Sequence, residues 1–254
     1  MLRIYLVSAL VGLFTTVAAG PLIAQSAAPK QKAAPAPKAV AAGAPAAAAP
    51  TGAAAATSSD VVATDDKAKP GDVKVIDGFR SARFGMNEAD VRAAIAKDFN
   101  PKADAVKTQD NPSELTHSML LAVPELLQNG GTAELSYVFG YKTKSLIQIG
   151  AVWSKATDAA MTPEKLFSSA NILRAHFLNE GFKPESVAVN MPVNGGIVMF
   201  RGSDAKDHSV ILLLQGTFEN KENNQRVLTP TSLLLFYVAD AKSPDVFKLP
   251  PGQF

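Results

Sequence analysis

Two stretches, Phe84–Phe99 (FGMNEADVRAAIAKDF) and Met161–Gly181 (MTPEKLFSSANILRAHFLNEG), carry their large apolar residues at helical spacing. In the first, Val91, Ile95 and Phe99 share one face with Ala94 beside them; in the second, Leu166, Ala170, Leu173 and Phe177 form the stripe. Each stretch opens with a helix start signal. Asn87 and Thr162 are N-cap residues whose side-chain oxygens accept first-turn N–H groups, and Pro163 suits the first helical position. Met86 with Val91, and Met161 with Leu166, have the spacing of a hydrophobic staple. Asn100-Pro101 ends the first helix and Gly181 the second. Helices this short need packing to persist in water, and burial of each large side chain supplies roughly 1.5–3 kcal/mol.

After each helix the period changes to two. Met119–Val123, Ala133–Phe139 and Leu146–Trp153 read as strands, joined through Asn129-Gly130-Gly131 and Gly140–Ser145; Leu135, Tyr137 and Phe139, like Ile147, Ile149, Ala151 and Trp153, keep one parity. The second helix is followed by Val187–Met191, a Pro192–Gly196 turn, Ile197–Arg201, Val210–Phe218, a polar loop Glu219–Arg226 and Ser232–Val238. Short turns predict antiparallel meanders. Val210–Leu214 and Leu233–Val238 are apolar at nearly every position, which predicts central strands covered on both faces or strands at a self-association surface. Val75–Phe84 reads as an extended segment, Lys102–Glu114 as irregular, and Pro244–Phe254 as a tail over the surface. The expected fold class is α+β: two helix-plus-antiparallel-strands units, 84–153 and 161–240, forming a helices-on-sheet domain over 72–254. Their similar starts fit internal duplication and, equally, convergent helix-start chemistry.

The N-terminal quarter has a different composition. Arg3, an apolar run from Ile4 to Ala19 and a small-residue exit to Ala24 predict a signal peptide over 1–24, with an uncleaved anchor as the alternative. Residues 25–71 are chiefly Ala and Pro and predict a disordered tether. There is no cysteine, which excludes a lipoprotein anchor, disulfides and thiolate-bound metal. The expected location is periplasmic or secreted, without a transmembrane segment after cleavage.

Formal net charge is +2, falling by one if Arg3 is removed, and gives no case for nucleic-acid binding. His117, His176 and His208 lack metal-ligand spacing, and the Asp204, Asp207, His208 cluster is read as a turn rather than a cation site. No GxSxG elbow or phosphate-cradling glycine loop occurs. Glu114 with Asp110, and Glu219 with Glu222, read as solvated carboxylates. No catalytic residue, cofactor or metal is therefore expected. The candidate interaction surface is Arg80 and Arg83 beside the first helix, with Glu219, Glu222 and Arg226 in the polar loop.

At Phe84-Gly85-Met86-Asn87-Glu88-Ala89-Asp90-Val91-Arg92, followed by a meander, the chain resembles exported domains of the β-lactamase-inhibitor-like and outer-membrane-assembly-lipoprotein group. It is also similar to secreted proteobacterial proteins that join a signal peptide, an Ala/Pro tether and such a domain. The resemblance implies small helices-on-sheet modules in which a Gly-x-(Thr/Ser/Asn)-x-x-x-Val start opens a helix and which act by binding proteins. This chain departs in lacking the lipid-bearing cysteine and in having one helix per unit where two are expected. An envelope-associated binding module with an envelope-protein partner is the expectation; a hydrolase-like periplasmic enzyme with a dispersed site and a carrier of a small apolar ligand are the alternatives.

Overall fold

The computed structural model describes residues 74–102, 104–220, 226–250 and 252. The signal-peptide and tether readings lie outside these residues. Within them the chain is α+β: helices α1 (Glu88–Phe99) and α2 (Pro163–Leu178), a small hairpin of β1 (Gly78–Phe79) and β2 (Ala82–Arg83), and one eight-stranded antiparallel sheet.

Both helices begin as their residues dictate. Asn87 Oδ1 accepts the Asp90 N–H at 3.0 Å, and Thr162 Oγ1 accepts that of Lys165 at 3.3 Å. Asn100, left-handed at φ 41°, returns its N–H to the Ala96 carbonyl and closes α1 before Pro101. Val91, Ala94 and Ile95 of α1 are buried, as are Leu166, Ala170 and Phe177 of α2.

Each helix is followed by four strands in sequence: β3 (Lys107–Asn111), β4 (Thr116–Val123), β5 (Ala133–Phe139) and β6 (Leu146–Ser154) after α1, and β7 (Ala188–Val193), β8 (Gly196–Ser203), β9 (Ser209–Asn220) and β10 (Arg226–Val238) after α2. The two meanders meet through their last strands, giving the order β3-β4-β5-β6-β10-β9-β8-β7. All the pairings are antiparallel, and Leu235 lies opposite Ala151 in the central ladder.

Four expectations are corrected. Val75–Phe84 is not one extended segment: it doubles back at Arg80–Ser81, with Arg80 left-handed at φ 53°. Lys107–Asn111 is an edge strand rather than irregular chain; its residues KTQDN are polar on both faces, so alternation could not reveal it. The strands β9 and β10 take in Glu219, Asn220 and Arg226 from the ends of what reads as a polar loop, whose residues 221–225 lie outside the described residues, and Pro192 lies within β7 rather than in a turn. Pro192 is tolerated because β7 is an edge.

One face of the sheet holds the helices. Leu212, Leu214, Leu233, Leu235, Ile149, Trp153, Leu135, Tyr137 and Met119 join the buried helix residues in one cluster. The β1–β2 hairpin lies against the central strands, with the Phe79 ring 5.4 Å from that of Tyr237. The incoming chain is gripped at Ile76: its N–H donates to Asp204 Oδ2 at 2.9 Å, and its carbonyl lies 2.6 Å from His208 Nδ1. The buried Asp204 carboxylate also accepts the N–H groups of Lys206 and His208.

Replacing Asp204 by alanine strands three N–H groups around a buried position. D204A is expected to lower stability by about 2–4 kcal/mol in urea denaturation and to make the chain before Phe79 an early site of limited proteolysis.

Candidate functional site

The four described residues of the expected interaction surface do not converge. Arg80 and Arg83 lie together on the β1–β2 hairpin, whereas Glu219 and Arg226 lie at the far end of the β9–β10 ladder. Tyr237, beside the hairpin, is eleven residues along β10 from Arg226, on the order of 36 Å of strand. Glu222 lies outside the described residues. Arg226 stacks over Phe218 at 4.1 Å, a same-face contact within the ladder.

At the hairpin, Arg80 lies over the rings of Phe99 (4.7 Å) and Phe79 (5.7 Å), and Arg83 Nη1 donates to the Arg80 carbonyl. Both guanidinium groups thus brace the turn. Beside them a cleft of about 290 Å³ is lined by Lys74, His176, Glu180 and Tyr237 among others. Glu180 Oε1 is shared by Lys74 Nζ at 2.9 Å and His176 Nε2 at 3.2 Å. Burial, with a smaller effect of the Glu180 charge, pushes the Tyr237 phenol far above its ordinary value, so it stays a neutral hydroxyl. Burial does the same at Tyr137, where Asp98 adds to the rise and Arg80 opposes it.

His117 and His208 make contacts within the fold. His117 pairs across the β3–β4 ladder with Asp110, Nδ1 to Oδ1 at 2.6 Å. His208 and Asp204 hold Ile76, a long-range grip that the turn reading of that cluster does not include. Among the described residues, no group of three or more His, Asp or Glu side chains is placed to hold a metal ion.

The second face of the sheet is more distinctive. Val198, Ile211, Leu213, Leu234, Phe236 and Val238 form a separate buried cluster, with Val152, Met191 and Val193 packed on it, and no residue of either helix belongs to it. The register arranges this face in rows across the strands. One row is Met191–Val198–Leu213–Leu234–Val152–Glu134–Ala122, and the next is Arg201–Ile211–Phe236–Gly150–Ser136–Leu120. Gly150 is required there: a Cβ would lie 2.7 Å from Ser136 Oγ and 3.2 Å from the Phe236 ring, which extends across the glycine. The third row is Ser203–Ser209–Val238–Gln148–Val138–Ser118. The band is thus mostly apolar over β9 and β10, whereas over β4, β5 and β6 the small or polar residues Gly150, Gln148, Glu134, Ser136 and Ser118 alternate with Val152, Val138 and Leu120. Its apolar half was signalled by the unbroken runs in β9 and β10, but neither Arg201 nor Gln148 carries a sequence signal as a site residue.

The tail is latched at the rim of the sheet. Asp245 accepts the N–H of Lys142 and both the N–H and hydroxyl of Thr143, while the Tyr141 and Phe247 rings meet edge to face at 5.5 Å. No family model, curated protein or solved structure matches the chain.

Partial burial pushes the Asp245 carboxyl up, but the hydrogen bonds from Thr143 and Lys142 outweigh it and hold it below the usual carboxylate range. The folded value lies below the unfolded one, so the latch contributes fully above a pH of about 4 and is lost as pH falls through the folded value. The amide proton shifts of Lys142 and Thr143 are expected to titrate with a midpoint below about 3.9, and D245N to abolish that titration.

Proposed function

We propose that the domain is an exported, non-catalytic protein-interaction module of the cell envelope, and that it holds a segment of its partner protein against the second face of the sheet. The observation that supports the reading is the apolar band of Val198, Ile211, Leu213, Leu234 and Phe236 on a face to which neither helix contributes. The half-buried Val152, Met191 and Val193 at the border of that band offer apolar area, and burying such area favours association at roughly 25 cal/mol per Å² before the costs of immobilising the partner. The sheet edges are poor alternatives. β3 is polar on both sides, and β7 carries Pro192 and a left-handed Asn190 at φ 54°, which interrupt strand addition. The export leader, the Ala/Pro stretch and the helix-start resemblance agree with an envelope setting.

The test is photo-crosslinking in cells from a reactive side chain at Val193, a half-buried position at the border of the band. One envelope protein is expected to be captured reproducibly, with a yield at least tenfold lower when Met191, beside it on the same face, is changed to Asp. Crosslinks confined to this chain's own residues would overturn the reading.

A further inference from the structure

On the second face, Gln148 and Arg201 each hold a buried nitrogen without a hydrogen-bond partner. Gln148 is 1% exposed, lies in its row between Val238 and Val138, and its Nε2 has no hydrogen-bond partner. Arg201 lies in the row of Ile211 and opposite Ala188, and its buried Nε has no partner either. No carboxylate lies within ion-pair distance of Arg201 among the described residues. Buried donors are nearly always satisfied, and a guanidinium cannot shed its charge. The charged residues whose strand positions place them on this face, Glu134, Lys107 and Glu219, sit in other strands, Glu134 in the row of Val152, Lys107 at the β3 edge and Glu219 eight residues along β9 from Ile211.

We propose that the partner's segment is apolar in its middle and carries two acceptors, a carboxylate that meets Arg201 on β8 and a carbonyl or carboxylate oxygen that meets Gln148 on β6. This rests on the docking reading of the face. Three strand spacings and a shift of one row separate the two positions, about 15 Å. The segment between the acceptors crosses Ile211 and Phe236 and is therefore apolar. It spans about ten residues if helical and about five if extended. The partner is thus an acidic-flanked apolar segment of an envelope protein, and Arg201 with Gln148 sets its register. A purely apolar segment would leave both donors stranded, which is the basis for discrimination.

The experiment uses the full exported chain with the photo-reactive residue at Val193 and the variants Q148M and R201M, which keep volume and remove the donors. Their urea midpoints are expected to equal or exceed the parent's, because no internal partner is lost. The crosslinked yield is expected to fall at least tenfold in each, and the captured peptide to contain Asp or Glu beside an apolar run. R201E paired with a Lys at that acidic position of the partner is expected to recover the yield. Unchanged yields in Q148M and R201M would overturn the inference and leave the docking face intact. A loss of yield matched by a loss of stability in the free domain would also overturn it, by making both residues structural. No captured partner in the parent chain would instead remove the reading on which the inference rests.

Discussion

Seven residue pairs between β6 and β10, from Ser154 with Ser232 to Gln148 with Val238, make a single sheet out of two meanders. Alone, each four-stranded half would end in a long apolar edge, Leu233–Val238 in one and Ile147–Trp153 in the other, with main-chain donors and acceptors unpaired. Pairing those edges satisfies both at once. It also brings Tyr237, Ile149 and Tyr137 into one row on the helix side, and it is over this row that the β1–β2 hairpin lies. The second face becomes continuous across the same joint, so the band running from Met191 to Ala122 exists only because β6 and β10 meet.

What the sequence revealed follows from which physical signal each element carries. The helices were legible because their caps and stripes are local: Asn87 and Thr162 act within three residues, and Val91 and Leu166 are buried where the spacing put them. β5 was legible to the residue, because its alternation faces a core on one side. β3 was not, since an edge strand such as KTQDN needs no buried face and its backbone bonds carry no side-chain signature. The β1–β2 turn was missed for a related reason. Its left-handed residue is Arg80, not a glycine, and is held by contacts to Phe99 from another element.

The candidate surface divides in the same way. Arg80 and Arg83 were found as exposed charge near an apolar helix, yet both are engaged in bracing their own hairpin. Arg201 and Gln148 were passed over because one polar residue inside an apolar strand looks like an interruption. Only the register places them on the face without helices, where Gln148 Nε2 and Arg201 Nε have no hydrogen-bond partner.

The grip on Ile76 has a mechanical meaning. At the start of the described residues the chain is held by the Lys74 N–H to the Gly181 carbonyl, the Lys74 ion pair with Glu180, and the Asp204 and His208 bonds at Ile76. Behind them β1 and β2 share only two residue pairs, a ladder that would unzip pair by pair under load. A pull applied at Lys74 is therefore borne first by the bonds of Lys74 and Ile76, and only after them by the ladder of the eight-stranded sheet.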